Sequence, residues 1–249
     1  MINLVVDIGN SAAKIAVFSR NKILFTDKSL AYSVTDFQQL KEKFQVNNLM
    51  ISSVKKDISL DEDILKQDFN YIRFNHTLAI PIKNEYQSPS TLGLDRLAAV
   101  IGAYQLFPHQ SVLVIDAGTC ITYENLDKNG TYLGGSISPG LKMRLDAMHH
   151  FTSKLPQVHF EDDIEDYFGK NTQEAMLSGV LNGIAYEAEG FIKQQLKEKE
   201  DLKIILCGGD AAFFDSRFKN SIFAHSILNE PNLVLIGLNK VVNYQHDIK

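Results

Sequence analysis

The chain has 249 residues, 45% hydrophobic and 22% charged, as in a globular protein able to bury a proper core. Its net charge of −5 argues against a nucleic-acid binder, which needs a basic face, and leaves any anionic ligand to local donors. Two cysteines (Cys120, Cys207) make no disulfide framework or metal site alone, no apolar run approaches the roughly 20 residues of a membrane span, and "MINLVVDIGN" lacks a basic leader, so the expectation is a soluble cytoplasmic protein without a membrane partner.

Residues 2–7, 13–19 and 22–29 read as three strands, with "RNK" at 20–22 as a hairpin turn. "TDFQQLKEKF" reads as a helix with Thr35 as N-cap and Gln38 completing a capping box. "NLMISSV" follows as a buried strand, "DEDILKQDF" as an amphipathic helix and "YIRFN" as a strand. A polar segment at 76–90, punctuated by Pro81 and Pro89, leads into a helix over 92–107 that ends before Pro108.

The same grammar then restarts. "SVLVIDAGTC" places Asp116, Gly118 and Thr119 where the first half has Asp7, Gly9 and Asn10, an offset of 109 residues. "ITYENL" and "TYLGGSI" supply two more strands, helices follow at 141–150 and 172–197, and "KIILCGG" is a strand closed by paired glycines. A strand at 221–226 and a helix at 232–245 complete the pattern. The fold class expected is α/β, duplicated, with half-domains at 1–109 and 110–249 and the last helix returning to the first half.

One Asp-x-Gly after a strand is an ordinary turn. Two at matching places in two half-folds suggest paired phosphate turns, because glycine lets backbone N–H groups approach phosphate and small polar residues add donors. No G-x-x-x-x-G-K-[ST] is present, and no G-x-G-x-x-G follows a strand. His149 and His150 point in different directions on a helix and offer no shared metal site.

The duplicated arrangement resembles the superfamily of acetate and sugar kinases, heat-shock ATPases and actin, a ribonuclease H-like fold of two βββαβαβα-type halves around a nucleotide cleft. The motifs "DIGNSAAK", "Y…GLDRLAAVIGA", "VIDAGTCIT", "GGSISPGL", "NTQEAMLSGV" and "CGGDA" run in the order found in type III pantothenate kinases, which the chain resembles over nearly its whole length. The resemblance implies phosphorylation of pantothenate by ATP with Mg²⁺, the first step of coenzyme A synthesis, in a homodimer.

It also implies roles for particular residues. Asp7, Ile8, Gly9, Asn10, Ser11, Ala12, Ala13 and Lys14 match the first ATP loop, with Ser11 keeping the hydroxyl of the family's threonine. Thr119 matches the second loop's ATP contact, and Asp116 the ligand of a monovalent cation, K⁺ or NH₄⁺. Asp95 matches the base that takes the substrate's hydroxyl proton, at a helix N-terminus whose partial charge favours a carboxylate. Tyr86, Gly93, Leu94, Asp95, Arg96 and Thr172 match the pantothenate site; the Arg96 fork suits carboxylate or phosphate equally. Cys207 departs from the family's more frequent threonine beside the adenosine side. Residue chemistry alone leaves plainer readings: Lys14 a solvated strand lysine, Asp116 a turn cap, Tyr86 a loop aromatic over the core, and Asn171 or Thr172 a helix N-cap. Two rival functions stand beside the kinase reading, another small-molecule kinase of the superfamily and a non-catalytic accessory factor in transcription.

Overall fold

A computed structural model of the chain describes residues 1–53, 58, 60–160, 167–199 and 201–248. Val54, the last residue of the strand read in "NLMISSV", lies outside them. The first strand, β1 (Ile2–Ile8), is buried over Asn3–Val6, as an apolar run covered on both faces must be. It pairs antiparallel with β2 (Ala13–Ser19), and β2 with β3 (Lys22–Ser29), an alternating edge strand guarded by Lys22 and Lys28. On its other side β1 runs parallel to β4 (Asn48–Ser53), and β4 to β5 (Asn70–Arg73), giving the order β3-β2-β1-β4-β5. The crossovers are α1 (Val34–Phe44) and α2 (Glu62–Asp68). A two-residue strand, β6 (Lys83–Asn84), and one 3₁₀ turn at Pro89–Thr91 precede α3 (Leu94–Leu106).

The pattern then repeats: β7 (Val112–Ala117), β8 (Cys120–Leu126), β9 (Thr131–Pro139), α4 (Leu141–Phe151), α5 (Thr172–Leu196), β10 (Lys203–Cys207), α6 (Ala211–Phe218), β11 (Ile227–Asn229) and α7 (Leu233–Asp247). The second sheet runs β11-β10-β7-β8-β9-β6. Without β6 this is the first order again, a meander on one side of a leading strand and parallel additions on the other. The duplicated α/β architecture is therefore present in the topology.

Two local expectations shift. The helix α1 is capped by Ser33, not Thr35: Ser33 Oγ accepts from the Asp36 N–H at 3.3 Å and Asp36 Oδ2 accepts from the Ser33 N–H at 2.7 Å. That backbone N–H also holds the Asp36 carboxyl below its usual range. The strand placed at 221–226 is a 3₁₀ turn at Ala224–Ser226, with pairing confined to β11 at 227–229.

The chain divides into two compact units. The first comprises Met1–His109, Leu126–Gly134 and Asn232–Lys249, and the second Gln110–Asn125 and Gly135–Pro231. In the first, α7 packs along α3 and against β1. The two helices cross where both carry glycine: a Cβ at Gly237 would lie 1.8 Å from the Ala98 carbonyl oxygen, and one at Gly102 2.3 Å from that of Leu233. An asparagine ladder secures the same helix. Asn3, Asn48 and Asn70 lie in register on β1, β4 and β5. Asn48 donates to Asn3 at 2.7 Å, and Asn3 donates to Asn239 and Asn243 of α7 at 2.8 and 2.9 Å. In the second unit the buried stripe Met176, Val180, Leu181, Ile184, Ala188 and Ile192 seats α5 on a core that includes Leu113 and Ile115 of β7. Among the described residues no helix is long and apolar enough to cross a membrane.

Candidate functional site

In the first unit β1 hands over to β2 through a short turn. The Gly9 N–H donates to the Ala12 carbonyl at 3.0 Å, and a Cβ at Gly9 would stand 3.2 Å from that oxygen. Asn10 and Ser11 project into solvent at the tip, and Ala13 returns to the core. The register sets Asp7 opposite Lys14, with both side chains on one face of the hairpin. The predicted loop of Asp7, Ile8, Gly9, Asn10, Ser11, Ala12, Ala13 and Lys14 is thus a strand end, an exposed small-residue tip and a strand start.

A second group of predicted residues converges at the start of α3. Gly93 is the N-cap and carries no side chain to accept from the helix, so Asp95 does: the Arg96 N–H donates to Asp95 Oδ1 at 2.9 Å. A Cβ at Gly93 would come within 2.5 Å of that oxygen, so this geometry requires glycine. Leu94 opens the helix and Asp95 stays half-buried, reachable from outside. Arg96 is only 7% exposed, and its Nη2 donates to the Tyr132 hydroxyl at 3.2 Å. Tyr86 stacks parallel on Tyr132 with centroids 6.0 Å apart, and the Arg96 guanidinium lies 5.6 Å from the Tyr86 ring centre. Strand β6 makes this possible: Lys83 and Glu85 donate to the carbonyls of Gly130 and Tyr132, which carries Tyr86 onto β9.

Tyr132 is the member of this group that sequence reasoning missed. It lies 46 positions after Tyr86, in the strand stretch "TYLGGSI" but outside the site motifs, and the β6–β9 pairing reveals its role. Its one legible signal is that it immediately precedes "LGGSISPG".

In the second unit Asp116 is the penultimate residue of β7 and half-buried, and Thr119 is exposed at the turn into β8. That turn is closed by the Gly118 N–H donating to Cys120 O at 3.0 Å, and it is braced by the Gly140 N–H donating to Thr119 O at 3.1 Å. Gly208 follows β10 with φ +92°; a Cβ there would lie 2.5 Å from Asp116 Oδ1 and 2.3 Å from Ala117 O. Gly208 therefore serves close backbone approach at the Asp116 strand end, whereas a Cβ at Gly209 would meet nothing within 4 Å. Asp210 caps α6 by position and donates its N–H to Ala117 O at 2.9 Å, while burial pushes its carboxyl up from its ordinary value. Asp210 is the acid of the "CGGDA" motif, and nothing in the local pattern marks it as partly buried. Thr172 opens α5, but Asn171 is the cap, its Oδ1 accepting from the Glu174 N–H at 3.0 Å. The Thr172 hydroxyl stays exposed in the first turn.

Asp116 brings one carboxylate to this strand end, and oxygen is the donor a hard cation prefers. No cluster of three His, Cys, Asp or Glu occurs among the described residues.

A duplicated α/β fold with an Asp-x-Gly turn at each leading strand defines the ribonuclease H-like class of architecture. Solved structures agree on the architecture. A Clostridium difficile activator of 2-hydroxyisocaproyl-CoA dehydratase, with bound ADPNP, superposes with a TM-score of 0.55 at 13% identity, covering 100% of this chain and 98% of that one. A Campylobacter jejuni protein described as a conserved candidate transcriptional activator of the Baf family gives 0.60 at 26% identity, covering 98% and 99%. The family model for type III pantothenate kinase matches residues 3–194. A Bacteroides fragilis type III pantothenate kinase is 41% identical over 251 residues, covering 98% of this chain and 99% of the relative. The chain belongs to the type III pantothenate kinase family.

Proposed function

We propose that the chain transfers the γ-phosphoryl group of ATP to the primary hydroxyl of pantothenate, forming 4′-phosphopantothenate in the first step of coenzyme A synthesis. The observation that carries this reading is the family match, which spans every residue given a role here. The hydroxyl oxygen bonds to the γ-phosphorus as the bond to ADP breaks, and the hydroxyl proton passes to Asp95. A carboxylate suffices here, because a loose transition state asks chiefly for positioning and charge stabilisation.

In this reading Tyr86, Gly93, Leu94, Arg96 and Thr172 hold pantothenate. The Asp7–Lys14 turn of the first unit and Thr119 of the second each hold ATP phosphate oxygens through N–H and hydroxyl donors. Mg²⁺ bound with ATP supplies charge neutralisation, and Asp116 takes K⁺ or NH₄⁺. We place the enzyme in the cytoplasm as a homodimer. Support for the dimer comes from α5, where Cβ atoms at Gly179, Gly183 and Gly190 would meet nothing within 4 Å and Tyr186 is 52% exposed.

The test is Asp95→Asn. Binding of a non-hydrolysable ATP analogue should persist while kcat falls about 10²-fold or more, the usual weight of a positioned base. Wild-type turnover in that variant would remove Asp95 from its role. A non-catalytic part in transcription is favoured only by the description of the Campylobacter jejuni protein. Absence of pantothenate turnover by the wild-type chain would promote it.

A further inference from the structure

Behind the Thr119 turn, the second unit holds a polar cluster to which no role has been assigned. Glu187, midway along α5, accepts on both carboxylate oxygens. Tyr123 on β8 donates its hydroxyl to Oε1 at 2.9 Å, while Ser138 Oγ on β9 and Arg144 Nη2 on α4 donate to Oε2 at 3.0 and 2.5 Å. Arg144 also donates Nη2 to Ser138 Oγ at 2.7 Å and Nε to the Pro139 carbonyl at 2.8 Å. The two charged side chains are 22% and 25% exposed, so solvent screens them little. Tyr123 is itself clamped, its ring stacked on Phe191 with centroids 4.0 Å apart. Burial and the bond to Glu187 push its hydroxyl well above the ordinary tyrosine range, so it remains a donor. One carboxylate thus ties together β8, β9, α4 and α5.

What the cluster grips is the end of "GGSISPG". Ser138 and Pro139 lead directly into Gly140, whose N–H donates to Thr119 O at 3.1 Å. A Cβ at Gly140 would fall 2.3 Å from Gly118 O and 2.6 Å from Thr119 O, so the two backbones are in contact with no slack. Displacing Pro139 therefore displaces the turn. A partly buried ion pair adds little net stability, since apolar residues of equal volume serve a core as well or better. Its directional hydrogen bonds do fix a backbone position.

We propose that Glu187 is a positioning residue for nucleotide binding: through Arg144 it sets Ser138–Gly140, and through Gly140 it sets the Gly118–Thr119 turn. This rests on the reading that the turn meets ATP phosphates.

Glu187→Gln is nearly isosteric, keeps an acceptor for Tyr123 and removes the charge that orients Arg144. Calorimetric Kd for a non-hydrolysable ATP analogue should rise about tenfold, with the KM for pantothenate within about twofold of wild type, because misplacement of a binding group is felt by its own ligand first. Arg144→Met should reproduce the split, Arg144→Lys should recover part of it, and the double variant should be no worse than Arg144→Met alone. Unchanged analogue affinity, or equal weakening of both ligands in step with a lower Tm, overturns the proposal. If Glu187→Gln does not fold, the Arg144→Lys and Arg144→Met pair reads the same split. Thr119→Ala serves as the reference. Unaltered analogue binding there removes the Thr119 hydroxyl from the phosphate site, while the Glu187→Gln split still judges the backbone of the turn.

Discussion

Tyr132 holds together the corner where Asp95 is presented. Its ring supports Tyr86 and its hydroxyl accepts from Arg96, so one buried side chain orients two proposed substrate contacts. Tyr132→Phe keeps the stack and deletes only the acceptor. A hydrogen bond from a charged donor is worth about 1.5–3 kcal/mol, so the KM for pantothenate should rise roughly 10- to 100-fold with kcat little changed. Steady-state kinetics at saturating ATP measures this, and an unchanged KM would detach Arg96 from the substrate. Gly93 through Arg96 were legible as a contiguous motif, and Tyr86 as the tyrosine a few residues upstream of it. Tyr132 was not, because its relation to them exists only through a two-residue parallel pairing that no local pattern announces.

The element that positions this corner is α3, and α3 is located by its crossing with α7. Close approach at Gly102 and Gly237 leaves no room for a methyl group. Gly237→Ala should cost about 2–3 kcal/mol by overpacking, lowering Tm by roughly 4–12 °C for a chain of this size, although alanine is the better helix former. Thermal melting checks it, and a raised Tm would mean that the helices separate freely. Periodicity had placed both helices, yet it says nothing about which faces meet, so the glycine pair was invisible as a pair. Capping shows the same limit. Thr35 with Gln38 and Ser33 with Asp36 fit one spacing rule, and the extended backbone at Ser33 decides between them. The strand expected at 221–226 was displaced because parallel pairing with β10 begins only at Ile227.

At the scale of the whole molecule, the duplication was readable from the repeated strand-Asp-x-Gly grammar. The interleaving of the units is a matter of packing. The first unit takes segments from three parts of the chain, ending with 232–249. Leu233, Leu235, Leu238, Val241 and Val242 of α7 are each at most 1% exposed. At about 1.5–3 kcal/mol for each buried side chain they contribute some 8–15 kcal/mol as an upper estimate, comparable to the whole stability of a typical domain. The buried Asn3 and Asn48 of the ladder would in addition lose partners on Asn239, Asn243 and His246. A chain ending at Pro231 should therefore show no cooperative melt of the first unit and no turnover, even though every proposed catalytic and binding residue is retained. Near-ultraviolet circular dichroism with a thermal scan measures this. A cooperative transition within about 5 °C of the full chain would show that α7 is dispensable, and with it the account of how Asp95 is held in place.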